Sequence, residues 1–203
     1  MYMVQKLWNA MRGMLQAYGG HDIKRHLWNS EFSKGRWDCL DTSSDDRVYS
    51  YVEKYANNGS ILDLGCGSGS TGNELDQSAY REYIGVDISD VAIDKARRRS
   101  EANGRTSKNF YFQSDIASFV PSKKFDVILL RDSIYYLPGT KIYAVLHRYS
   151  SYLNDSGVFI VRMHDYVSGN YKTIVDILET NFTVHEKYME DQSTMLIIVF
   201  REK

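Results

Sequence analysis

The chain has 203 residues, a formal net charge of -1 and 43% hydrophobic residues, which bounds it to one domain with an ordinary soluble core. The near-neutral balance gives no electrostatic case for nucleic acid as the main partner, and no run approaches the ~18 apolar residues that span a bilayer. Two cysteines, Cys39 and Cys66, exclude a disulfide framework and an ordinary all-cysteine zinc site. With no h-region or cleavage signature at the N-terminus, the expected location is cytoplasmic.

Met3, Leu7, Met11 and Met14 or Leu15 recur at helical spacing and predict a short amphipathic helix, ended by Gly19-Gly20. A second helix is expected from about Asp45 to Ala56, capped by Ser43 or Ser44 and broken by Asn57-Asn58-Gly59. Beyond it, apolar runs at Ser60–Leu64, Glu82–Val86, Phe110–Phe112, Asp126–Leu130 and Val158–Arg162 alternate with helical segments at Val91–Asn103, Lys141–Leu153 and Asn170–Thr180. That rhythm predicts parallel βαβ units in a doubly wound α/β sheet. At the end, Phe182–Met189 and Met195–Phe200 are separated only by Glu190 to Thr194. The gap is too short for a crossover helix, so the pair must be an antiparallel hairpin.

The most informative segment is Asp63-Leu64-Gly65-Cys66-Gly67-Ser68-Gly69. A buried strand ends in a glycine loop that turns into a helix, which lets backbone approach a ligand closely. Asp87 stands 18 residues beyond Gly69, where a second parallel strand ends and a carboxylate can accept from both hydroxyls of a ribose. The alternative for Asp87 is a cap on the next helix, a role Ser89 or Asp90 can fill equally well. An acid in the loop, Asp63, repels a pyrophosphate but suits the cationic amino acid end of S-adenosyl-L-methionine (SAM). The absence of a loop lysine disfavours a Walker-type site.

Those residues resemble motif I, (D/E)xGxGxG, of class I SAM-dependent methyltransferases of the small-molecule type, and the resemblance extends over about residues 43–203. It implies a seven-stranded Rossmann-like sheet of order 3-2-1-4-5-7-6 with strand 7 antiparallel. It implies a cofactor site of Asp63, Gly65, Cys66, Gly67, Gly69, Asp87, Ile88, Asp115, Ile116 and Arg131, with Asp87 on the ribose and Asp115 on the adenine amino group. A cap on a short helix at Ile116–Phe119 is the other role open to Asp115.

In such sheets the ligand lies across the carboxyl ends of the strands. The chemistry is therefore expected after strands 4 and 5. His164 is the preferred general base for a hydroxyl acceptor, with Asp132 and Tyr135 as competing catalytic candidates. Trp28, Trp37, Tyr136 and Arg162 are the expected substrate contacts, the tryptophans within an N-terminal lid (residues 1–43) over a core of residues 44–203. Asp132-Ser133-Ile134-Tyr135 lacks both prolines of the (D/N)PPY motif of amine methyltransferases. The Asp-Asn pair of magnesium-dependent O-methyltransferases is replaced by His164-Asp165, so no metal is expected. Arg97-Arg98-Arg99 is expected to be a solvated helix face. The sequence thus predicts SAM-dependent methylation of a small molecule by a monomer or homodimer, without nucleic acid or membrane. The alternatives are a methyltransferase acting on protein or RNA and a non-catalytic SAM-binding subunit.

Overall fold

The computed structural model describes residues 11–38, 46–164, 171–189 and 195–203. Met3, Leu7, Cys39, Ser43, Ser44, Asp165 and the Glu190 to Thr194 link lie outside the described residues.

Helix α1 includes residues 11–18 and is followed closely by α2 (His21–Ser33), then α3 (Val48–Ala56). β1 (Gly59–Leu64), α4 (Ser70–Glu74), β2 (Tyr80–Asp87), α5 (Asp90–Ala102) and β3 (Asn109–Gln113) form the first half of the sheet. The second half is β4 (Phe125–Arg131), α6 (Gly139–Ser150), β5 (Leu153–His164), α7 (Tyr171–Asn181), β6 (Phe182–Met189) and β7 (Met195–Glu202). The sheet order is 3-2-1-4-5-7-6, with β7 antiparallel to both neighbours, as the resemblance implies.

Period-2 alternation divides the core. Val127 and Leu129 of β4 pack on the α3 and α5 side, while Ile128 and Leu130 pack beneath α6 and α7. Burial on both faces explains why β4 reads as an unbroken apolar run. No helix among the described residues is long and apolar enough to cross a membrane.

α2 gives the expected N-terminal lid its helical form. Its inward face carries polar groups, Lys24, Arg25 and Asn29, beside Trp28 and Phe32, so the usual apolar stripe is missing. Several local expectations need correction. α3 starts at Val48 rather than Asp45, where the Asp46 carboxylate accepts the Val48 N–H at 3.1 Å. Residues 116–118 form a turn and not a helix. The arginine run is only partly solvated: Arg97 donates to the Tyr111 carbonyl at 2.7 Å and Arg99 to the Ser68 carbonyl at 3.2 Å.

Candidate active site

A cavity opens at the carboxyl ends of β1, β2 and β4, with α2 as its roof. Counted out to open solvent it holds about 970 Å³ of empty space, at the upper end of the ~300–1,000 Å³ range of ligand clefts.

The glycine loop forms one wall. Gly65 sits at φ 88°, and a Cβ there would meet the Ser133 Cβ at 2.5 Å, so both conformation and space require glycine. The amides of Gly65 and Cys66 both donate to the Val86 carbonyl, at 2.7 and 3.0 Å, which ties the loop to β2. Ser133 in turn donates to the Leu64 carbonyl at 2.6 Å. Gly69 faces the other way: a Cβ there would strike Ala96 of α5 at 2.8 Å.

Four acids line the cavity: Asp63, Asp87 and Asp115 on the cofactor side, and Asp132 after β4. Asp87 accepts the Gly67 amide at 3.0 Å on one oxygen and the Ser89 amide at 2.8 Å on the other. Burial pushes its pKa up to about 6 against these amides, and Ser89, not Asp87, caps α5 by accepting from Ala92 at 3.1 Å. Asp63 is also raised to about 6 by burial, although the Tyr83 hydroxyl donates to its Oδ2 at 2.5 Å. Its Oδ1 is buried and makes no hydrogen bond among the described residues. Asp115 accepts the Ala117 amide at 2.8 Å and faces Lys24 of α2 at 3.4 Å.

The roof is held by polar contacts to the start of α5. Asn29 accepts from the Ser89 hydroxyl at 2.7 Å and donates to Asp90 at 2.6 Å, while Arg25 donates to Asp90 at 2.8 Å. Beneath it Trp28 meets Tyr136 edge-on at 4.7 Å and Trp37 at 5.9 Å between ring centroids. The Trp37 Nε1–H is a second buried group without a hydrogen-bond partner among the described residues, this one a donor.

Beyond β4, Asp132 adopts φ 53°, a left-handed conformation uncommon for a non-glycine residue. Its Oδ1 accepts the His164 amide at 2.8 Å and the Tyr135 hydroxyl at 3.3 Å, and its Oδ2 is paired with Arg162. Arg162 also reaches Asp46 at 3.2 Å, and Arg131 donates to the same Asp46 oxygen at 2.7 Å. Burial, then Asp132, drives the Tyr135 hydroxyl far above its usual pKa and lifts Tyr136 to about 12.

Asp63, Gly65, Cys66, Gly67, Asp87, Ile88, Asp115, Ile116, Arg131, Asp132, Trp28, Trp37 and Tyr136 all line this cavity. Gly69, Tyr135, Arg162 and His164 do not; the exposed His164 contributes its backbone amide to Asp132. No role was expected for Gln16, Lys24 or Thr71, which also line it, or for Asp46, which pairs with the lining residue Arg131. Lys24 and Gln16 belong to helices whose cavity faces carry no periodic signal. Asp46 acts on Arg131, 85 positions away, and on Arg162 further still, pairings that spacing cannot reveal.

The lining fits SAM. A buried acceptor and a buried donor stand without partners, as a zwitterionic amino acid end requires, beside a cradle that side chains at Gly65 would fill. Among the described residues no group of three or more His, Cys, Asp or Glu side chains could hold a metal ion.

Sheet order, strand 7 and the glycine loop together define a class I SAM-dependent methyltransferase. The family described as "Methyltransferase domain" matches residues 56–198, and the chain belongs to it. Among solved structures it resembles the N-methyltransferase NodS of Bradyrhizobium japonicum, solved with S-adenosyl-L-homocysteine (TM-score 0.70, 18% identity, 88% of this chain and 97% of that one). It also resembles the magnesium protoporphyrin IX methyltransferase of Synechocystis (TM-score 0.68, 18% identity, 90% and 97%). At these identities the likeness is one of fold. A curated relative, the mRNA cap guanine-N(7) methyltransferase of Schizosaccharomyces pombe, is 31% identical over 123 residues, 54% of this chain and 34% of that protein. The chain thus spans about a third of that relative's length.

Proposed function

We propose that this methyltransferase acts on a small planar acceptor, at a ring nitrogen that carries its lone pair at neutral pH. The observation that carries the reading is the state of Asp132, the acid on the acceptor side of the cavity. Its carboxylate already accepts from His164 and Tyr135 and is paired with Arg162. An acid so engaged is suited to accept a hydrogen bond from a substrate N–H and poorly suited to remove a proton. The hydroxyl acceptor expected from the sequence has His164 as its preferred base, and that side chain stands outside the cavity lining. A ring nitrogen needs no base.

Bound SAM would supply a sulfonium methyl, whose carbon is attacked in line by the nucleophile as the C–S bond breaks and the thioether leaves. The chain's own part is then alignment and exclusion of water. Asp63 would receive the ammonium, the Trp37 N–H the carboxylate, Asp87 the ribose hydroxyls and Asp115 the adenine amino group, with Ile88 and Ile116 against the base. Trp28 and Tyr136 offer aromatic surface for a flat acceptor.

A second reading keeps this chemistry but takes the ring from the capped end of an RNA. It is favoured by the 31% identity to a cap methyltransferase and opposed by the net charge of -1. Tritium-labelled SAM, incubated with separate pools of small nitrogen heteroaromatics, phenols and unmethylated capped RNA, tests both. Label in the first pool supports the proposal; label only in phenols overturns it; label only in RNA transfers it to the second reading.

A further inference from the structure

Tyr83 lies at the back of the glycine loop, outside the cavity lining and with no part in the roles assigned above. It is fully buried, wedged between the rings of Tyr80 and Tyr111 at 6.4 and 5.8 Å. α4 closes the remaining side, since a Cβ on Gly72 would strike the Tyr83 ring at 2.7 Å. The ring therefore has one orientation, and its hydroxyl points at Asp63 Oδ2, 2.5 Å away.

We propose that Tyr83 is a positioning residue for the cofactor: its hydroxyl engages one oxygen of Asp63 and thereby leaves the other facing the cavity as the acceptor for an ammonium group. This rests on the reading of the cavity as a SAM site. The unpartnered Oδ1 is the second half of the observation. A buried acceptor without a partner is costly, and it persists in a binding site because a ligand satisfies it.

The same contact acts on the charge of the acid. Burial is the largest influence on Asp63 and raises it to about 6; the Tyr83 hydroxyl is first among those opposing it, followed by the charge of Arg131 of β4 and the Thr71 hydroxyl of α4, which approaches the carboxylate without making a full hydrogen bond to Oδ1. Asp87 of β2 pushes the other way, and the Cys66 thiol is itself driven well up by burial, so it adds no charge. Tyr83 is likewise raised far above its usual range by burial and by Asp63, so it remains a donor throughout. Without that hydroxyl Asp63 takes up its proton at a higher pH, and a neutral acid holds an ammonium poorly.

The test is calorimetric titration of the full chain and of Tyr83→Phe and Asp63→Asn with two probes, from about pH 5 to pH 7.5. S-adenosyl-L-homocysteine carries the amino acid end; 5′-methylthioadenosine keeps the adenine, ribose and thioether but lacks it. Asp87 acts equally on both, so their ratio isolates Asp63. In Tyr83→Phe, whose ring still fills the space, S-adenosyl-L-homocysteine should weaken roughly tenfold at neutral pH. Its further loss on acidification should set in at a higher pH than in the wild type, while 5′-methylthioadenosine stays within about twofold. Asp63→Asn should weaken the first probe alone and remove the pH dependence of the ratio. Equal weakening of both probes in Tyr83→Phe, or no weakening, overturns the role of Tyr83 and leaves the cofactor site standing. A wild type that binds neither probe overturns the cofactor reading and this inference with it.

Discussion

Arg131 and Arg162 stand opposite one another across the β4–β5 register, and the carboxylate of Asp46 accepts from both guanidinium groups. Two like charges on neighbouring strands repel unless acids lie between them. Asp46 and Asp132 supply that balance, so the arginines brace the turn that carries Asp132.

Asp46→Ala should therefore destabilise the protein by about 3–5 kcal/mol, because it leaves two arginines buried without their shared acid. Urea unfolding midpoints measure this. A change below about 1 kcal/mol would mean that water replaces the carboxylate.

Asp63 gives a stability change of the opposite sign. An acid whose native pKa, about 6, exceeds the unfolded value of 3.8 binds its proton more tightly when folded. Stability then drains away as pH rises between those values and stays low above them. Ligand-free Asp63→Asn should accordingly melt higher than the wild type at pH 7.5, by about 1–3 kcal/mol, with the difference vanishing below about pH 4. Thermal melts across that range decide it; a variant less stable at every pH would contradict the account.

Gly65→Ala should lose S-adenosyl-L-homocysteine binding and at least about 1–3 kcal/mol of stability, since φ 88° and the 2.5 Å approach to Ser133 both forbid a side chain. Calorimetry together with thermal melts separates the two losses. Unchanged binding would show that the loop has room the geometry denies.

Trp28→Ala should weaken S-adenosyl-L-homocysteine by about 1–2 kcal/mol, the contribution of an aromatic wall that excludes water beside the ligand. The global melting temperature should move little, because the helix that carries Trp28 is anchored independently through Asn29 and Arg25. A large drop in melting temperature with intact binding would make Trp28 a packing residue only.

Asp63, Gly65, Asp87 and Asp115 were legible in the sequence because each stands at or just past the carboxyl end of a strand, and a parallel sheet gathers those ends at one edge. His164 follows the same rule yet its side chain lies outside the cavity, since alternation along β5 sends neighbouring side chains to opposite faces. Strand ends predict where the edge is; they do not predict which way each residue there points.

The sequence by itself determined the alternation of strands and helices, the closing hairpin and the glycine loop, because these depend on local periodicity, loop length and the conformational freedom of glycine; the strand order followed from the resemblance that the loop carries. Only the tertiary structure decided that Asp46 balances Arg131 and Arg162, that Arg25 and Asn29 tie α2 to Asp90, and that Tyr83 holds Asp63. Those contacts join residues from 20 to 116 positions apart through polar groups. Hydrogen bonds and ion pairs of that kind leave no repeat in the sequence, since each needs one donor and one acceptor brought together by the folded sheet.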